Sequence, residues 1–290
     1  MSMKKRWFAL FTVPLFFVFI VVVIVPFLTG VYYSFVSWDG LPKNPMKFVG
    51  FANYAKAFQD TRFLSSLERT TVFTLITMVT VNVLALGFAL VVTSKLRLRN
   101  VGRVMIFMPY LIGGLLLGYI WQFILGDCMA TLGEMTGRTD LFFYWLSNKQ
   151  FAFIGLIVVA TWQMAGYMMI IYIAGLQSIS DDVLEAASVD GASYWQALFR
   201  IRLPLLMPSI TICTFLTLTN GFKLFDQNLA LTGGMPSNRS QLLALNIYDT
   251  FYGRAGWEGA GQAKAVVFCL IVVTIALLQL RLTRTREVQQ

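Results

Sequence analysis

Long runs of apolar residues without a single charge are the feature that most constrains what this chain can fold into. The first run extends from Phe8 to Gly30. Because a helix rises 1.5 Å per residue, roughly 20 apolar residues cross a hydrocarbon layer of about 30 Å. The charged fraction of 13% is about half of the roughly 25% that is usual in soluble domains. We therefore predict an all-α membrane protein.

Six such runs predict six transmembrane helices within a single domain that covers residues 1–290. The predicted spans are about 8–30, 70–94, 104–126, 151–176, 205–230 and 263–281. The first is expected to stay in the membrane, because a secretory signal has a shorter apolar region and a small-residue cleavage site. The last is short, and we expect Lys264 at its start to extend its charged end to the membrane interface.

Basic residues stand in short clusters beside the apolar runs. Three lie before the first run, four lie without an acid between the second and third, and three follow the last: Lys4, Lys5, Arg6, Lys95, Arg97, Arg99, Arg103, Arg281, Arg284 and Arg286. Cytoplasmic loops of membrane proteins are enriched in Lys and Arg. We therefore expect both termini in the cytoplasm of a bacterial inner membrane. The formal charge of +9 then reflects topology, and we expect no nucleic-acid partner.

The segment 177–204, between the fourth and fifth predicted spans, differs in character from the spans. Asp182 followed three residues later by Glu185 has the spacing of a helix N-cap with a capping box. Gly191 allows a turn after this first short helix. A second helix, ended by Pro204, is predicted to dock on the membrane domain through an apolar stripe. The stripe consists of Trp195, Leu198, Phe199 and Ile201. Such a segment fits either a groove on another protein or an amphipathic loop at the membrane surface.

The same segment resembles the EAA loop of bacterial ABC importer permeases. The matching residues are Glu185-Ala186-Ala187, Gly191 after three further residues, and Ile201-Arg202-Leu203-Pro204 after nine more. The form Glu-Ala-Ala-Ser-Val-Asp-Gly-Ala resembles the maltose-type and multiple-sugar branch, in which two related permeases pair, and within it the MalF-like subunit. Other stretches similar to that branch are 48–54, 108–110, 118–121, 174–179, 222–226 and 231–236. The resemblance covers nearly the whole chain.

The resemblance implies the transmembrane domain of a type I ABC importer with a cytoplasmic coupling helix, which moves a sugar or oligosaccharide inward by alternating access. The implied partners are a homologous second permease, a dimer of ATPase subunits that binds ATP and Mg, and an extracytoplasmic solute-binding protein. This chain itself would bind no cofactor and would not be an enzyme. The residues implied to couple it to the ATPase are Asp182, Leu184, Glu185, Ala186, Ala187, Asp190, Gly191, Ala192 and Pro204.

Polar residues within the apolar runs are candidates for the substrate path, because polar groups in a membrane are costly and commonly functional. From the residues alone the candidates are Asn82, Gln163, Thr217, Thr219, Asn220, Lys223 and Asp226. The resemblance favours the region of Tyr167 and the fifth span. The predicted path is Gln163, Tyr167, Thr217, Asn220, Gly221 and Leu224. The alternative for these residues is hydrogen bonding between helices, and Lys223 is expected to pair with Asp226 on one helical face.

Three other classes of membrane protein compete with this interpretation. A secondary transporter would need intramembrane acids or unwound half-helices in matching halves, and no acid lies in the middle of a predicted span. An intramembrane enzyme is disfavoured because the sequence has no histidine and no Gly-x-Ser-x-Gly motif. A complete ATP-driven pump would contain the phosphate-binding loop Gly-x-x-x-x-Gly-Lys-Ser/Thr, which is absent from the sequence.

Overall fold

Helices account for most of the chain. The computed structural model describes residues 3–38, 46–94 and 99–284, so Lys95, Arg97 and Arg286 lie outside the described residues. The helices in chain order are α1 (Met3–Phe19), α2 (Val25–Ser34), α3 (Ala52–Gln59), α4 (Thr61–Thr93), α5 (Arg99–Leu111), α6 (Gly114–Phe123), α7 (Met129–Thr136), α8 (Lys149–Gln177), α9 (Asp181–Val189), α10 (Tyr194–Ala197), α11 (Leu203–Leu205), α12 (Met207–Lys223), α13 (Asp226–Leu231), α14 (Leu243–Gly253) and α15 (Glu258–Arg284).

Short elements connect these helices. Turns of π-helix at Ile20–Ile24, Ile124–Cys128 and Leu198–Arg202 follow α1, α6 and α10 directly, and a 3-10 turn at Trp145–Ser147 precedes α8. The strands β1 (Val36–Ser37) and β2 (Lys47–Phe48) pair antiparallel, with Val36 opposite Phe48.

Five helical stretches among the described residues are long and apolar enough to cross a membrane. They are Leu10–Ser34, Thr61–Thr93, Gly114–Thr136, Lys149–Gln177 and Glu258–Arg281. A sixth is obtained if Tyr194–Leu205 and Met207–Lys223, which meet at a bend of 70°, are counted as one span. The all-α class is confirmed, and the number of apolar helices is consistent with the six spans predicted from the sequence.

The third predicted span does not coincide with one helix. The range 104–126 includes the end of α5, a break at Ile112 and Gly113, and all of α6. Gly113 is extended, with φ −58° and ψ 141°, and glycine has little helix propensity. The apolar stretch that follows, Gly114–Thr136, contains Asp127. This stretch extends ten residues beyond the predicted end at 126, and both of its acids, Asp127 and Glu134, lie in that extension.

The fifth predicted span, 205–230, contains two helices. The first, α12, ends at Lys223, and Leu224 leaves the helical conformation with ψ 115°. The second, α13, begins at Asp226. The interruption of the apolar run after Asn220, visible in the sequence, therefore marks the end of a helix.

The chain divides into two compact units, of which the first comprises Met1–Leu64 and Asn246–Leu270. Within this unit Lys264 is completely buried. Its Nζ donates hydrogen bonds to Asp60 Oδ2 (2.8 Å), Thr250 Oγ1 (2.8 Å) and Asn246 Oδ1 (3.2 Å). Arg254 Nη1 donates to the same Asp60 oxygen at 2.8 Å. The prediction that Lys264 extends to the membrane interface is therefore wrong, because its ammonium group finds all its partners inside the unit.

We expect Asp60→Asn to lower the free energy of unfolding of the first unit by about 3–5 kcal/mol, the cost of breaking a buried ion pair. Asn keeps the shape and an acceptor oxygen, but the cationic groups of Lys264 and Arg254 lose the charge that compensates them. The measurement is thermal unfolding of the purified protein in detergent. Asp140→Asn, which removes an exposed carboxylate, is the matched control. Equal melting of the two variants would contradict this role of Asp60.

The ion pair also gives stability a pH dependence of defined sign. Burial raises the pKa of Asp60, but the hydrogen bond and charge of Lys264, together with Arg62 and Arg254, lower it by more, so the net pKa lies below the ordinary value of 3.8. A carboxylate with a lowered pKa stabilises the fold above its unfolded pKa and loses that contribution as the pH falls through the folded pKa. The wild-type protein and Asp60→Asn should therefore differ in stability at neutral pH. The difference should begin to shrink below about pH 3.8 and disappear below the lowered pKa of folded Asp60.

The second unit, Ser65–Leu245 with Ile271–Gln290, is built around α8. Its buried side chains form two clusters, one with α4 and α12 and one with α4, α6 and α13. The first cluster includes Val81, Ala85, Ala89, Met164, Met168, Tyr172 and Cys213. The second includes Phe73, Leu117, Leu156, Val159, Ala160 and Leu231.

Glycines let the helices of this unit approach closely. A Cβ atom on Gly166 of α8 would lie 2.1 Å from the carbonyl oxygen of Ile106 in α5. A Cβ atom on Gly118 of α6 would lie 2.6 Å from Cβ of Ala230 in α13. Small residues at such contacts are typical of packed membrane helices. These two contacts fix the helices that carry the polar cavity described below.

Candidate functional site

The helix α9 begins after Ser180, whose hydroxyl caps it. Ser180 Oγ accepts a hydrogen bond from the Asp182 N–H at 3.2 Å. Asp181 and Asp182 place negative charge in the first turn, where the helix dipole favours it. The prediction that Asp182 is the N-cap, with Glu185 completing a capping box, is therefore wrong. The serine two residues earlier takes that role.

The other end of α9 is closed by a Schellman motif. The Ala192 N–H donates to the carbonyl oxygen of Ala187 at 2.9 Å, and the Gly191 N–H donates to that of Ser188 at 3.1 Å. Gly191 has a φ of +75°, in the left-handed region that this motif requires at the residue after the C-cap. The motif thus gives a physical reason for the spacing Glu-Ala-Ala-x-x-x-Gly.

Most of the predicted coupling residues lie on the surface. Exposed are Asp182, Glu185, Ala186, Asp190, Gly191 and Pro204, half-buried are Leu184 and Ala192, and buried is Ala187. The helix is therefore packed through Ala187 and presents carboxylates and a small residue outward. This is the surface that a helix inserting into a groove of a partner would need.

The remainder of the segment differs from the predicted docked helix. Ser193 opens it with a capping box, in which its Oγ accepts from the Gln196 N–H and its own N–H donates to Gln196 Oε1. Pro204 lies at the start of α11 and ends no helix. Of the predicted stripe, Leu198 alone is buried, while Trp195 and Phe199 are 64% and 59% exposed and stack on each other. The prediction that this stripe packs on the membrane domain is wrong for those two rings.

A cavity of about 290 Å³ lies beside the middle of α8, at the junction of α12 with α13. It is lined by Tyr110, Gly114, Gln163, Met164, Asn220, Lys223, Leu224, Phe225, Asp226 and Gln227. Three residues of the predicted path, Gln163, Asn220 and Leu224, therefore share one cavity. Tyr167 lies one contact away, because its ring stacks on Tyr110 with centroids 4.5 Å apart and planes at 8°.

An amide network crosses the wall of this cavity. Gln163 Nε2 donates to the carbonyl oxygen of Ile112 at 2.8 Å, at the break between α5 and α6. The Gln227 amide donates to Gln163 Oε1. Gln227 Oε1 itself is buried and has no hydrogen-bond partner among the described residues. Leaving such an acceptor unpaired costs about 1–3 kcal/mol, so a hydroxyl donor in the cavity would be favoured.

Lys223 and Asp226 also line the cavity, but they do not pair. Within the described part of the chain, the ion pairs both involve Asp60. The expected pairing of Lys223 with Asp226 requires one continuous helix. It is wrong because α12 ends at Lys223 and α13 begins at Asp226. Each side chain is exposed, so the cavity wall carries one charge of each sign.

Thr217 and Gly221 lie at contacts between helices, outside the lining of this cavity. Asn82 Nδ2 donates to Thr217 Oγ1 at 3.0 Å, and the Tyr172 hydroxyl donates to Asn82 Oδ1 at 2.7 Å. A Cβ atom on Gly221 would lie 2.9 Å from side-chain atoms of Thr74. These contacts agree with the alternative of hydrogen bonding and close packing between helices, and the assignment of both residues to the substrate path stays a prediction.

Tyr110 and Gln227 line the cavity, although neither is among the polar residues predicted from the apolar runs. Tyr110 follows Pro109 in the last turn of α5, and the sequence signal available for it was the stretch 108–110 that carries part of the family resemblance. Gln227 directly follows Asp226, already a candidate. Its amide side chain next to a charged residue in an apolar run is the sequence signal for its position.

The comparisons with known proteins agree with one family. Residues 81–287 match the model of the family described as "Binding-protein-dependent transport system inner membrane component". The "Probable starch degradation products transport system permease protein AmyD" of Thermoanaerobacterium thermosulfurigenes is 43% identical, over 98% of this chain and 96% of the relative. The "Multiple sugar-binding transport system permease protein MsmF" of Streptococcus mutans is 32% identical, over 91% and 90%. The "Trehalose/maltose transport system permease protein MalF" of Thermococcus litoralis is 27% identical, over 96% and 94%.

A solved structure shows the same fold. It is described as a bacterial ABC transporter involved in the import of the acidic polysaccharide alginate, and it matches with a TM-score of 0.81 at 20% identity, over 97% of this chain and 96% of that chain. The fold is that of the transmembrane domains of type I importers. The chain thus belongs to the binding-protein-dependent transport system inner membrane components, and it is a membrane-embedded permease subunit of an ABC importer whose ATPase is a separate chain.

Proposed function

We propose that this permease moves a sugar or oligosaccharide inward by alternating access, driven by an ATPase that binds α9. The observation that carries the proposal is α9 itself. This helix is capped at both ends and packs through Ala187, and its Glu185 and Asp190 side chains are exposed. The substrate class is supported by relatives named for starch degradation products, for multiple sugars and for trehalose and maltose.

The chain connects α9 directly to helices that carry cavity residues. Only Ser178, Ile179 and Ser180 separate α9 from α8, which carries Gln163. On the other side, α10 and α11 lead into α12, which carries Asn220. A displacement of α9 by a closing ATPase would therefore reach both walls of the cavity as a rigid-body motion. This connection supports the assignment of Glu185 and Gly191 to coupling.

The cavity chemistry suits a sugar. A sugar ring needs hydrogen-bond partners around its rim and flat apolar contacts on its faces. The amides of Gln163, Asn220 and Gln227 offer donors and acceptors, and Tyr110, backed by Tyr167, offers an aromatic face. The proposed path therefore consists of this cavity, with Thr217 and Gly221 in supporting contacts between helices.

The proposed assembly contains a homologous second permease, two copies of the ATPase and an extracytoplasmic solute-binding protein. With six proposed spans, both termini and α9 lie on the same side of the membrane. We infer that this side is cytoplasmic, because the clusters of Lys and Arg lie beside the spans on this side. ATP and Mg would be bound by the ATPase subunits.

The experiment that tests the proposed function is uptake of a radiolabelled malto-oligosaccharide into proteoliposomes that contain the assembled complex. Uptake should require ATP, the ATPase and the solute-binding protein. Asn220→Ala should lower initial uptake about five- to tenfold, because one hydrogen bond contributes about 1–1.5 kcal/mol. Uptake by this chain alone, driven by an ion gradient, would contradict the proposal.

Thr219→Val is the matched control for Asn220→Ala. The Thr219 hydroxyl is bonded to carbonyl oxygens of its own helix, those of Phe215 and Leu216, and Thr219 does not line the cavity. The change keeps the side-chain shape one residue from Asn220 and should leave uptake unchanged. Equal uptake by Asn220→Ala and Thr219→Val would show that the cavity is not part of the substrate path.

A further inference from the structure

A larger cavity, of about 520 Å³, lies where α4 and α8 end and where α5 and α9 begin. It is lined by Thr93, Arg99, Arg103, Leu176, Gln177, Ile179, Asp181, Leu184 and Arg202. The lining thus contains three guanidinium groups and one carboxylate, that of Asp181. Two positive charges are therefore uncompensated among the lining residues.

Two of these arginines hold unused hydrogen-bond donors. Nε of Arg103 and Nε of Arg202 are buried and have no hydrogen-bond partner among the residues that the structure describes. Arg103 Nη2 makes a long hydrogen bond of 3.5 Å to the Val92 carbonyl oxygen. The Arg202 guanidinium lies 6.0 Å from the centre of the Tyr194 ring. Because a guanidinium binds phosphate oxygens through paired donors, the cavity is suited to a phosphate-like anion.

An apolar groove begins at one of the same arginines and follows α5. It has a volume of about 190 Å³ and is lined by Arg103, Val104, Phe107, Met108, Leu111 and Ile170. Val104, Met108 and Leu111 are 62%, 57% and 69% exposed. Arg103 lines both the arginine cavity and the groove. A positive cavity and an apolar groove that share Arg103 provide the two parts that a phospholipid requires, one for its phosphate and one for its acyl chain.

We propose that Arg99, Arg103 and Arg202 bind the phosphate of an anionic phospholipid whose acyl chain lies in the groove along α5. The site rests on the proposed function only for its position in the cytoplasmic leaflet, which is rich in anionic lipid. The bound phosphate joins Arg202, downstream of α9, to Arg103 on α5. The lipid thereby helps to hold the segment that contains α9 against the membrane helices.

Native mass spectrometry of the purified full chain in detergent tests the proposal, with dioleoyl phosphatidylglycerol or dioleoyl phosphatidylcholine added. We expect retention of phosphatidylglycerol over phosphatidylcholine. Arg103→Gln and Arg202→Gln should each lower that retention about fivefold, the factor that corresponds to one basic residue near an anionic surface. Arg200→Gln, an exposed arginine outside the cavity, is the matched control. Asp181→Asn should increase retention, which a damaged fold would not do.

Two further measurements distinguish a lipid phosphate from free inorganic phosphate as the bound anion. Leu111→Asn should weaken phosphatidylglycerol retention without changing the binding of inorganic phosphate. Binding of inorganic phosphate without preference for phosphatidylglycerol would overturn the lipid assignment. Unchanged lipid retention in the Arg103→Gln/Arg202→Gln double variant would overturn the proposed site. None of these measurements involves sugar uptake, so they can fail or succeed independently of the proposed function.

Discussion

Glu185→Lys is expected to lower ATP-driven uptake about a hundredfold or more while leaving the chain in the membrane at wild-type abundance. Glu185 is exposed on α9, so its replacement should cost this chain little stability. At an interface, losing one member of a buried charged contact costs about 2–5 kcal/mol, and each 1.4 kcal/mol is about tenfold in affinity. A lysine adds repulsion from whichever cationic group the carboxylate meets. The measurement is uptake by proteoliposomes that contain the assembled complex.

The control for Glu185→Lys is the same charge reversal elsewhere. Glu134 is an exposed residue of α7, and Glu134→Lys should leave uptake unchanged. In Glu185→Lys the complex should retain basal ATP hydrolysis but lose its stimulation by loaded solute-binding protein. Wild-type uptake by Glu185→Lys at equal abundance would refute coupling through α9.

The apolar helices could be predicted because composition alone decides whether a segment can lie in a membrane. The predicted span 151–176 and helix α8 (Lys149–Gln177) differ by only a few residues at the ends. The break at Gly113 could not be seen in the same way, because the residues on both sides of it are apolar and hydropathy does not report backbone conformation. After the break, α6 packs closely against α13 at Gly118 and Ala230, a contact that hydropathy does not report either.

The two ends of α9 illustrate how far local rules reach. The turn at Gly191 is predictable because glycine adopts a positive φ at the lowest cost, and the hydrogen bonds of the turn lie within the same six residues. The start was ambiguous, since Ser180, Asp181 and Asp182 are all good N-caps. In the structure it is the Ser180 hydroxyl that caps the helix.

Polar partners far apart in the sequence could not be predicted. Asp60 and Lys264 are 204 residues apart, and Asn82 and Thr217 are 135 residues apart. A sequence shows that such side chains are costly in an apolar environment, but it does not show which partner satisfies them. For this reason the sequence predicts Lys264 at the interface, which is wrong, whereas the place of Thr217 in the substrate path stays a prediction. Gln163, by contrast, both donates a hydrogen bond to a neighbouring backbone and lines the cavity. An intramembrane amide can therefore bond between helices and face a cavity at the same time.

Gly191→Pro is expected to abolish coupled uptake, whereas Gly191→Asn should preserve most of it. Proline fixes φ near −65°, which is incompatible with the φ of +75°, and it removes the N–H that donates to Ser188. Asparagine tolerates the left-handed region. Gly191→Ala should lie between them, because a left-handed alanine costs about 1–2 kcal/mol. A Cβ atom there would meet none of the described atoms within 4 Å, so this cost is backbone strain alone.

Gly137 supplies the control that separates coupling from stability. It ends α7 with a φ of +68°, and a Cβ atom on it would likewise meet no described atom within 4 Å. Gly137→Ala therefore imposes a similar backbone cost on a helix end outside the segment 177–204. The two alanine variants should have similar melting temperatures, and uptake should fall only in Gly191→Ala. If uptake fell equally in both, the left-handed turn after α9 would matter for stability alone, and the ATPase would have to act on the membrane helices through another contact.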